Sequence, residues 1–210
     1  MKMNIHSVFD QNATEYDHWF DLNFEMYQSE ILALKQAIPS NKKGIEIGVG
    51  TGRFAEPLKI RHGVEPSDGM ATLAKKRNVE VYKGVAENLP IGDQSFDFVT
   101  MVTTDCFLEN TAKAFSEVHR ILKPQGIFII GLIDRLSELG KSYEQKKLKN
   151  KFYKDAKFYS TEELTEFLKN AGFNNFNYWQ TLFHPEENKI EEPQASFGKG
   201  GFVVIKAIKI

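Results

Sequence analysis

The chain has 210 residues, 41% hydrophobic and 26% charged, the composition of a single water-soluble domain that needs no disulfide staples. A formal net charge of −1 gives no electrostatic footing for nucleic acid, and the only cysteine, Cys106, leaves no intrachain disulfide to form. The opening residues lack an apolar signal core, and the longest apolar run (127–133) is too short to cross a bilayer, so a cytoplasmic protein without membrane or nucleic-acid partner is expected.

Phe24, Tyr27, Ile31, Leu34 and Ile38 recur at helical spacing, and Pro39 ends that helix. A short strand over residues 44–48 then leads into a glycine-rich turn and a helix opening near Arg53. A second strand ends at Glu65, after which Ser67 caps a helix that buries Met70 and Leu73. Alternation marks residues 79–83 and 96–102 as the third and fourth strands. Thr111 caps a helix carrying Ala112, Phe115, Val118 and Leu122, which Pro124 and Gly126 close. Residues 127–133 are continuously apolar, as a strand covered on both faces must be. Ser160-Thr161-Glu162-Glu163 is a capping box for a helix with Leu164, Phe167 and Leu168, ended by Gly172. Residues 176–183 and 202–210 read as strands joined by a polar loop (185–201). With no helix between them, they pair antiparallel. Strand–helix alternation of this kind predicts an α/β fold, with a mostly parallel sheet and helices on both faces.

The most informative stretch is Glu46-Ile47-Gly48-Val49-Gly50-Thr51-Gly52-Arg53. A strand feeding a glycine turn and a helix brings a ligand against backbone amides, and a helix N-terminus there favours an anion. A P-loop would need Lys and Ser/Thr after the last glycine, where Arg53 and Phe54 stand. A dinucleotide fingerprint would need glycine at position 53. The acid Glu65, at the end of the next strand, is placed to accept the two hydroxyls of a ribose.

With these residues the chain resembles the class I S-adenosylmethionine-dependent methyltransferases, and within them the small-molecule group that includes ubiquinone- and biotin-pathway methylases. The resemblance runs from about Phe9 to the C-terminus. Glu46 to Gly52 looks like the first motif, which holds the methionine part of the cofactor. Gly63-Val64-Glu65-Pro66-Ser67 is similar to the second, whose acid holds the ribose. Lys83-Gly84-Val85-Ala86-Glu87-Asn88-Leu89-Pro90 resembles the segment beside adenine. Ser95-Phe96-Asp97-Phe98-Val99 matches the fourth-strand entry, and Glu117 through Arg120 to Pro124-Gln125-Gly126 the approach to strand five. Many relatives carry Asp where Val85 stands, so here adenine's amine must rely on Glu87, backbone near Ala86, or water.

The resemblance implies a Rossmann-like seven-stranded sheet, mostly parallel with an antiparallel C-terminal strand. It implies one domain over residues 1–210: N-terminal helices and lid (1–40), a cofactor half (41–135) and a substrate half (136–210). The cofactor is then S-adenosylmethionine, held by Glu46, Gly48, Gly50, Gly52, Glu65, Ala86, Glu87 and Thr103. Pro66, Met70 and Leu89 form apolar walls for adenine, although Met70 at helical spacing with Leu73 is equally core.

Methyl transfer needs alignment more than a fixed catalytic group, so no obligatory motif is expected. The acceptor, a small molecule, belongs beyond strands four and five, near Thr103, Thr104, Asp105, Asp134 and Arg135. Asp105 either holds a cationic substrate or caps the next helix; Cys106 reads as a small buried hydrophobe. Residues 9–20 resemble the family's lid, with Tyr16 near the reacting end and Trp19 and Phe20 packing on the sheet edge. Tyr16, His18 and Asp105 are the catalytic candidates, with His18 read first as an exposed residue. The five histidines show no metal-ligand spacing, so no metal is expected. Residues 141–157, with seven lysines, read as a solvated helix rather than a gate. Competing readings are a non-catalytic S-adenosylmethionine-binding module, whose substrate side would be sealed by apolar groups, and a dinucleotide-dependent oxidoreductase.

Overall fold

In the computed structural model, which describes residues 5–210, one eight-stranded sheet carries helices on both faces. The strands are β1 (Gly44–Ile47), β2 (His62–Val64), β3 (Glu80–Tyr82), β4 (Phe96–Val102), β5 (Leu122–Ile133), β6 (Phe173–Thr181), β7 (Gln194–Ala195) and β8 (Phe202–Lys209). The helices are α1 (Ile5–Gln11), α2 (Ala13–Leu22), α3 (Phe24–Ala37), α4 (Asp68–Lys76), α5 (Thr111–Ile121), α6 (Glu138–Lys146) and α7 (Thr161–Asn170). No helix of the described residues is long and apolar enough to cross a membrane.

The strand order is β3-β2-β1-β4-β5-β8-β6-β7. β1 to β5 pair parallel, while β8 runs antiparallel to β5 and β6, and β7 antiparallel to β6. All seven expected strands are present; the eighth, β7, is two residues long and hidden in the polar loop. The chain leaves β1 in one direction to build β2 and β3, and returns past it to build β4. A crevice opens at that reversal, beyond the carboxyl ends of β1 and β4.

Period-2 alternation sorts the core into two layers. Phe98 and Val102 of β4 pack on the α3 side with Ile31 and Leu34. Val99 and Met101 pack on the opposite side with Phe115, Val118 and Leu164, joined by Phe96, which the register shift between Phe96 and Phe98 turns to that side. Phe24, though in register with the α3 stripe, is exposed.

Local chemistry explains where the elements depart from expectation. No helix follows the glycine turn: residues 53–59 form successive turns. Pro57 has no N–H to give the Arg53 carbonyl, and the Tyr27 hydroxyl donates to that carbonyl instead. Asn110, not Thr111, caps α5, its side chain accepting from the Lys113 amide at 3.0 Å, while the Thr111 hydroxyl meets that of Tyr159. Ala114 rather than Ala112 is buried in α5, and in α4 Ala71 and Ala74 are buried where Leu73 is only partly covered. The chain enters β5 at Leu122, before Pro124. Lys209 Nζ holds the end of α5 by donating to the His119 and Leu122 carbonyls at 2.6 and 2.7 Å. Ser67 and the Ser160–Glu163 capping box perform as predicted.

Candidate active site

A cavity of about 230 Å³ occupies the crevice. β1 delivers Glu46 and the glycine turn to it, and β2 delivers Glu65 and Pro66. Gly50 has a φ of +55°, and a Cβ there would meet nothing within 4 Å, so any side chain would project into the open space. Gly52 serves differently: a Cβ would lie 3.1 Å from the Ala74 Cα. It allows α4 to approach the turn and does not line the cavity, which corrects its assignment to the cofactor.

Glu65 is buried at the mouth of β2. Its Oε2 accepts from the Gly50 amide at 2.9 Å and its Oε1 from the Ser67 amide at 3.0 Å. Each oxygen keeps a further lone pair for a ligand hydroxyl. Burial outweighs those bonds and pushes the carboxyl up to about 7. Glu46, 1% exposed, is pushed well above the usual carboxylate range by burial and by the neighbouring Glu65 charge. Its Oε2 has no partner among the described residues.

Pro66, Met70, Ala86 and Glu87 line the far end. Leu89 does not; it is buried in the core layer beside α5, because the chain turns inward there. Glu117 accepts from the Leu89 amide, and Arg120 donates to the Leu89 and Ile91 carbonyls. The Glu117–Arg120 motif is therefore a clamp on the segment that edges the cavity. Glu87 Oε1 accepts from the Glu109 and Asn110 amides at 2.9 and 3.2 Å, which ties it to the entrance of α5.

After β4, Thr103 turns the chain at φ +48° and lines the cavity with Thr104, whose hydroxyl donates to the Gly48 carbonyl. Asp105, Asp134 and Arg135 are not in the wall. Asp105 is 3% exposed in a short 3-10 turn, pushed up to about 7 by burial, with Oδ1 unpartnered among the described residues. Asp134 accepts from Thr161 and Leu136, fastening α7, and Arg135 pairs with Glu163. The buried Cys106 thiol is pushed well up by burial, as a small core residue would be.

α1 and α2 cover the entrance. Phe9, Tyr16 and Phe20 all line the cavity, so Phe20 does more than pack on the sheet edge. Asp10 accepts from the Ser67 hydroxyl and the Gly69 amide at 2.7 and 2.8 Å. Asp17 is gripped by Arg53 and Arg77, each at 2.9 Å, and Arg53 also holds Asp21. Against the cost of burial, these arginines hold Asp17 down to about 2. His18 is 63% exposed and pairs with Asp21, outside the first cavity.

A second cavity, about 530 Å³, adjoins the first and shares Tyr16, Phe20, Phe54 and Thr103 with it. Its wall includes Glu30, Trp19, Tyr143, Phe152 and Tyr153, with His18 among its lining residues. Residues 141–157 are thus not merely a solvated helix. α6 ends at Lys146, and the following turns bring Phe152 and Tyr153 to the cavity. The sequence signal for Glu30 was a charge on the buried stripe of α3, three residues after Tyr27 and four before Leu34. Phe107 carried no comparable signal.

The buried carboxyls set a pH dependence. Glu30, Glu65 and Asp105 lie at about 8, 7 and 7, so the native state holds more protons than the unfolded chain above the ordinary carboxylate range. Stability therefore falls as pH rises through that window. Asp17 acts oppositely: its contribution is present above its unfolded value and lost as pH falls toward about 2. The ligand-free melting temperature should peak near about pH 5 and decline toward about pH 8. A melting temperature that rises steadily over that interval would contradict these burials.

The family cofactor fits what the first cavity offers: a buried carboxylate with free lone pairs for a diol, an orphaned buried carboxyl oxygen for a cation, and space where Gly50 lacks a side chain. The family model described as "Methyltransferase domain" matches residues 45–130. An uncharacterized protein of Methanocaldococcus jannaschii is 50% identical over 97% of this chain and 100% of its own. A SAM-dependent methyltransferase from Thermotoga maritima, named a "possible histamine N-methyltransferase", is also 50% identical. Its crystal structure superposes on 99% of this chain and 100% of its own with a TM-score of 0.95. The demethylmenaquinone methyltransferase of Chlorobaculum tepidum is 28% identical over 87% of this chain and 89% of its own.

Proposed function

Because the chain belongs to the class I S-adenosylmethionine-dependent methyltransferases, we propose that its first cavity holds the cofactor, its second a small-molecule acceptor, and that one domain does both. The observation that carries this is the placement of Glu65: buried, bonded to the glycine turn, and facing a cavity that shares wall residues with a second one.

Bound S-adenosylmethionine supplies a methyl carbon already activated by its sulfonium. Glu65 accepts from the ribose hydroxyls, and Glu46 answers the charge at the methionine end. Gly48 and Gly50 let the backbone approach. Pro66 and Met70 cover the adenine ring, with Ala86 and the edge of Glu87 beside it. Tyr16 and Thr103 stand where the cavities meet and align the acceptor against the methyl group, which is the proximity contribution. α1 and α2 close the entrance and exclude water.

Relatives named for histamine and for demethylmenaquinone differ in acceptor, so their names do not choose one for this chain. Incubation with methyl-labelled S-adenosylmethionine and a cell extract divided by size tests the acceptor class. Label is expected in the small-molecule fraction. Label recovered only in protein or nucleic acid would overturn the proposal.

A further inference from the structure

The second cavity contains a carboxyl group that the fold does not answer. Glu30 lies on the buried stripe of α3, where packing calls for an apolar side chain. It is 4% exposed, lines the cavity, and makes no hydrogen bond or ion pair among the described residues. A buried carboxylate without a partner is costly unless something brings it a positive charge. Burial alone pushes this one up to about 8.

Aromatic rings line the same cavity: Tyr16 and Trp19 from α2, Tyr143 from α6, and Phe152 and Tyr153 beyond α6. Tyr143 and Tyr153 meet edge to face at 5.2 Å, and Tyr16 and Phe152 at 5.5 Å. The faces of such rings attract cations. The cavity's own lysines do not reach inward to neutralise Glu30. Lys149 and Lys151 are exposed, and Lys151 is engaged by Glu15 and Asn12. An acidic acceptor would be repelled here. A neutral alcohol would supply a hydrogen bond but no charge.

We propose that the methyl acceptor is a primary or secondary amine that enters in its ammonium form and is bound by Glu30 within this aromatic cage. The proposal rests on methyl transfer to a small molecule at this site. Ammonium nitrogen has no free lone pair, so the amine must lose a proton before it can accept a methyl group. The Glu30 carboxylate takes that proton: the N–H pair stays on nitrogen, and Glu30 becomes the neutral acid. It keeps that proton in the empty cavity near about pH 7 and gives it to solvent as the next ammonium enters.

Calorimetry on the full chain loaded with S-adenosylhomocysteine tests this, with 2-phenylethylamine as the cationic probe and 2-phenylethanol as its neutral counterpart. The amine should bind about ten- to a hundredfold more tightly, the range for a hydrogen bond to a charged group. Near about pH 7 its binding should expel most of one proton, read from heats in buffers of different ionisation enthalpy, and near about pH 9 very little. The phenols of Tyr16, Tyr143 and Tyr153 share the cavity with Glu30, and all are pushed upward by burial, so they stay neutral throughout. Glu15, His18, Lys149 and Lys151 face it from the rim. Glu30→Gln leaves those groups in place, and it should abolish both the proton release and the preference for amine while S-adenosylhomocysteine still binds. Failure of S-adenosylhomocysteine to bind the unaltered chain would sink the methyltransferase site itself. If it binds, the amine proposal alone is overturned by an alcohol that binds as tightly, by neither probe binding, or by proton release persisting in Glu30→Gln. The comparison of probes on the unaltered chain decides even if the variant does not fold.

Discussion

Glu65→Ala should weaken S-adenosylhomocysteine binding by about ten- to a hundredfold, or about 1.5–3 kcal/mol, the range for hydrogen bonds to a charged group. The carboxylate touches two backbone amides as well as the cavity, so its loss also frees the Gly50 and Ser67 N–H groups. Those donors face a space that water can enter, and the fold should survive. Glu65→Gln should fall between, because an amide offers one carbonyl oxygen where the acid offered two. Calorimetry on a folded variant reads both effects. An unchanged affinity in Glu65→Ala would mean that the buried acid faces the cavity without holding the ligand.

Gly50→Val should abolish cofactor binding altogether. Its φ of +55° is costly for a β-branched residue, and the branch would stand in the ligand's space. Gly50→Asn separates the two causes. Asparagine tolerates the left-handed region, so the turn should hold while its side chain still fills the cavity. Both variants should lose the rise in melting temperature that S-adenosylhomocysteine gives the unaltered chain. A Gly50→Asn chain that binds normally would show that strain, not occupancy, makes glycine necessary there, and would move the ligand away from Gly50.

Much of the site could be read from local chemistry. Glu46, the glycine turn and Glu65 are fixed by position relative to strand ends, and a strand end is a short-range property. What could not be read is which way a side chain faces after packing. Gly50 and Gly52 have the same spacing in the sequence, yet one borders open space and the other a neighbouring helix. Leu89 and Ala86 are three residues apart in one core layer, and only the fold shows that Ala86 also reaches the cavity wall. Asp105 and Glu30 differ for the same reason: address after a strand suggested the first, which lies outside both cavities, whereas the second reaches a cavity wall only once α3, α6 and the turns beyond α6 are brought together. The missing helix after Arg53 is different. Pro57 was visible, and its lost donor was sufficient reason to doubt a helix there.

Arg53 links two things that the chain keeps apart. It follows the glycine turn directly, and its guanidinium grips Asp17 and Asp21 of α2. Turn and α2 are thereby one mechanical unit, with Arg77 bracing it from α4. α1 is fastened by the Asp10 carboxylate and by the Phe9 ring, which packs on Phe107 and Phe152, and Asn12 separates it from α2. Across that one-residue break the Phe9 and Tyr16 rings meet, 5.6 Å from centre to centre, so the cavity wall is held together there by aromatic packing rather than by charge.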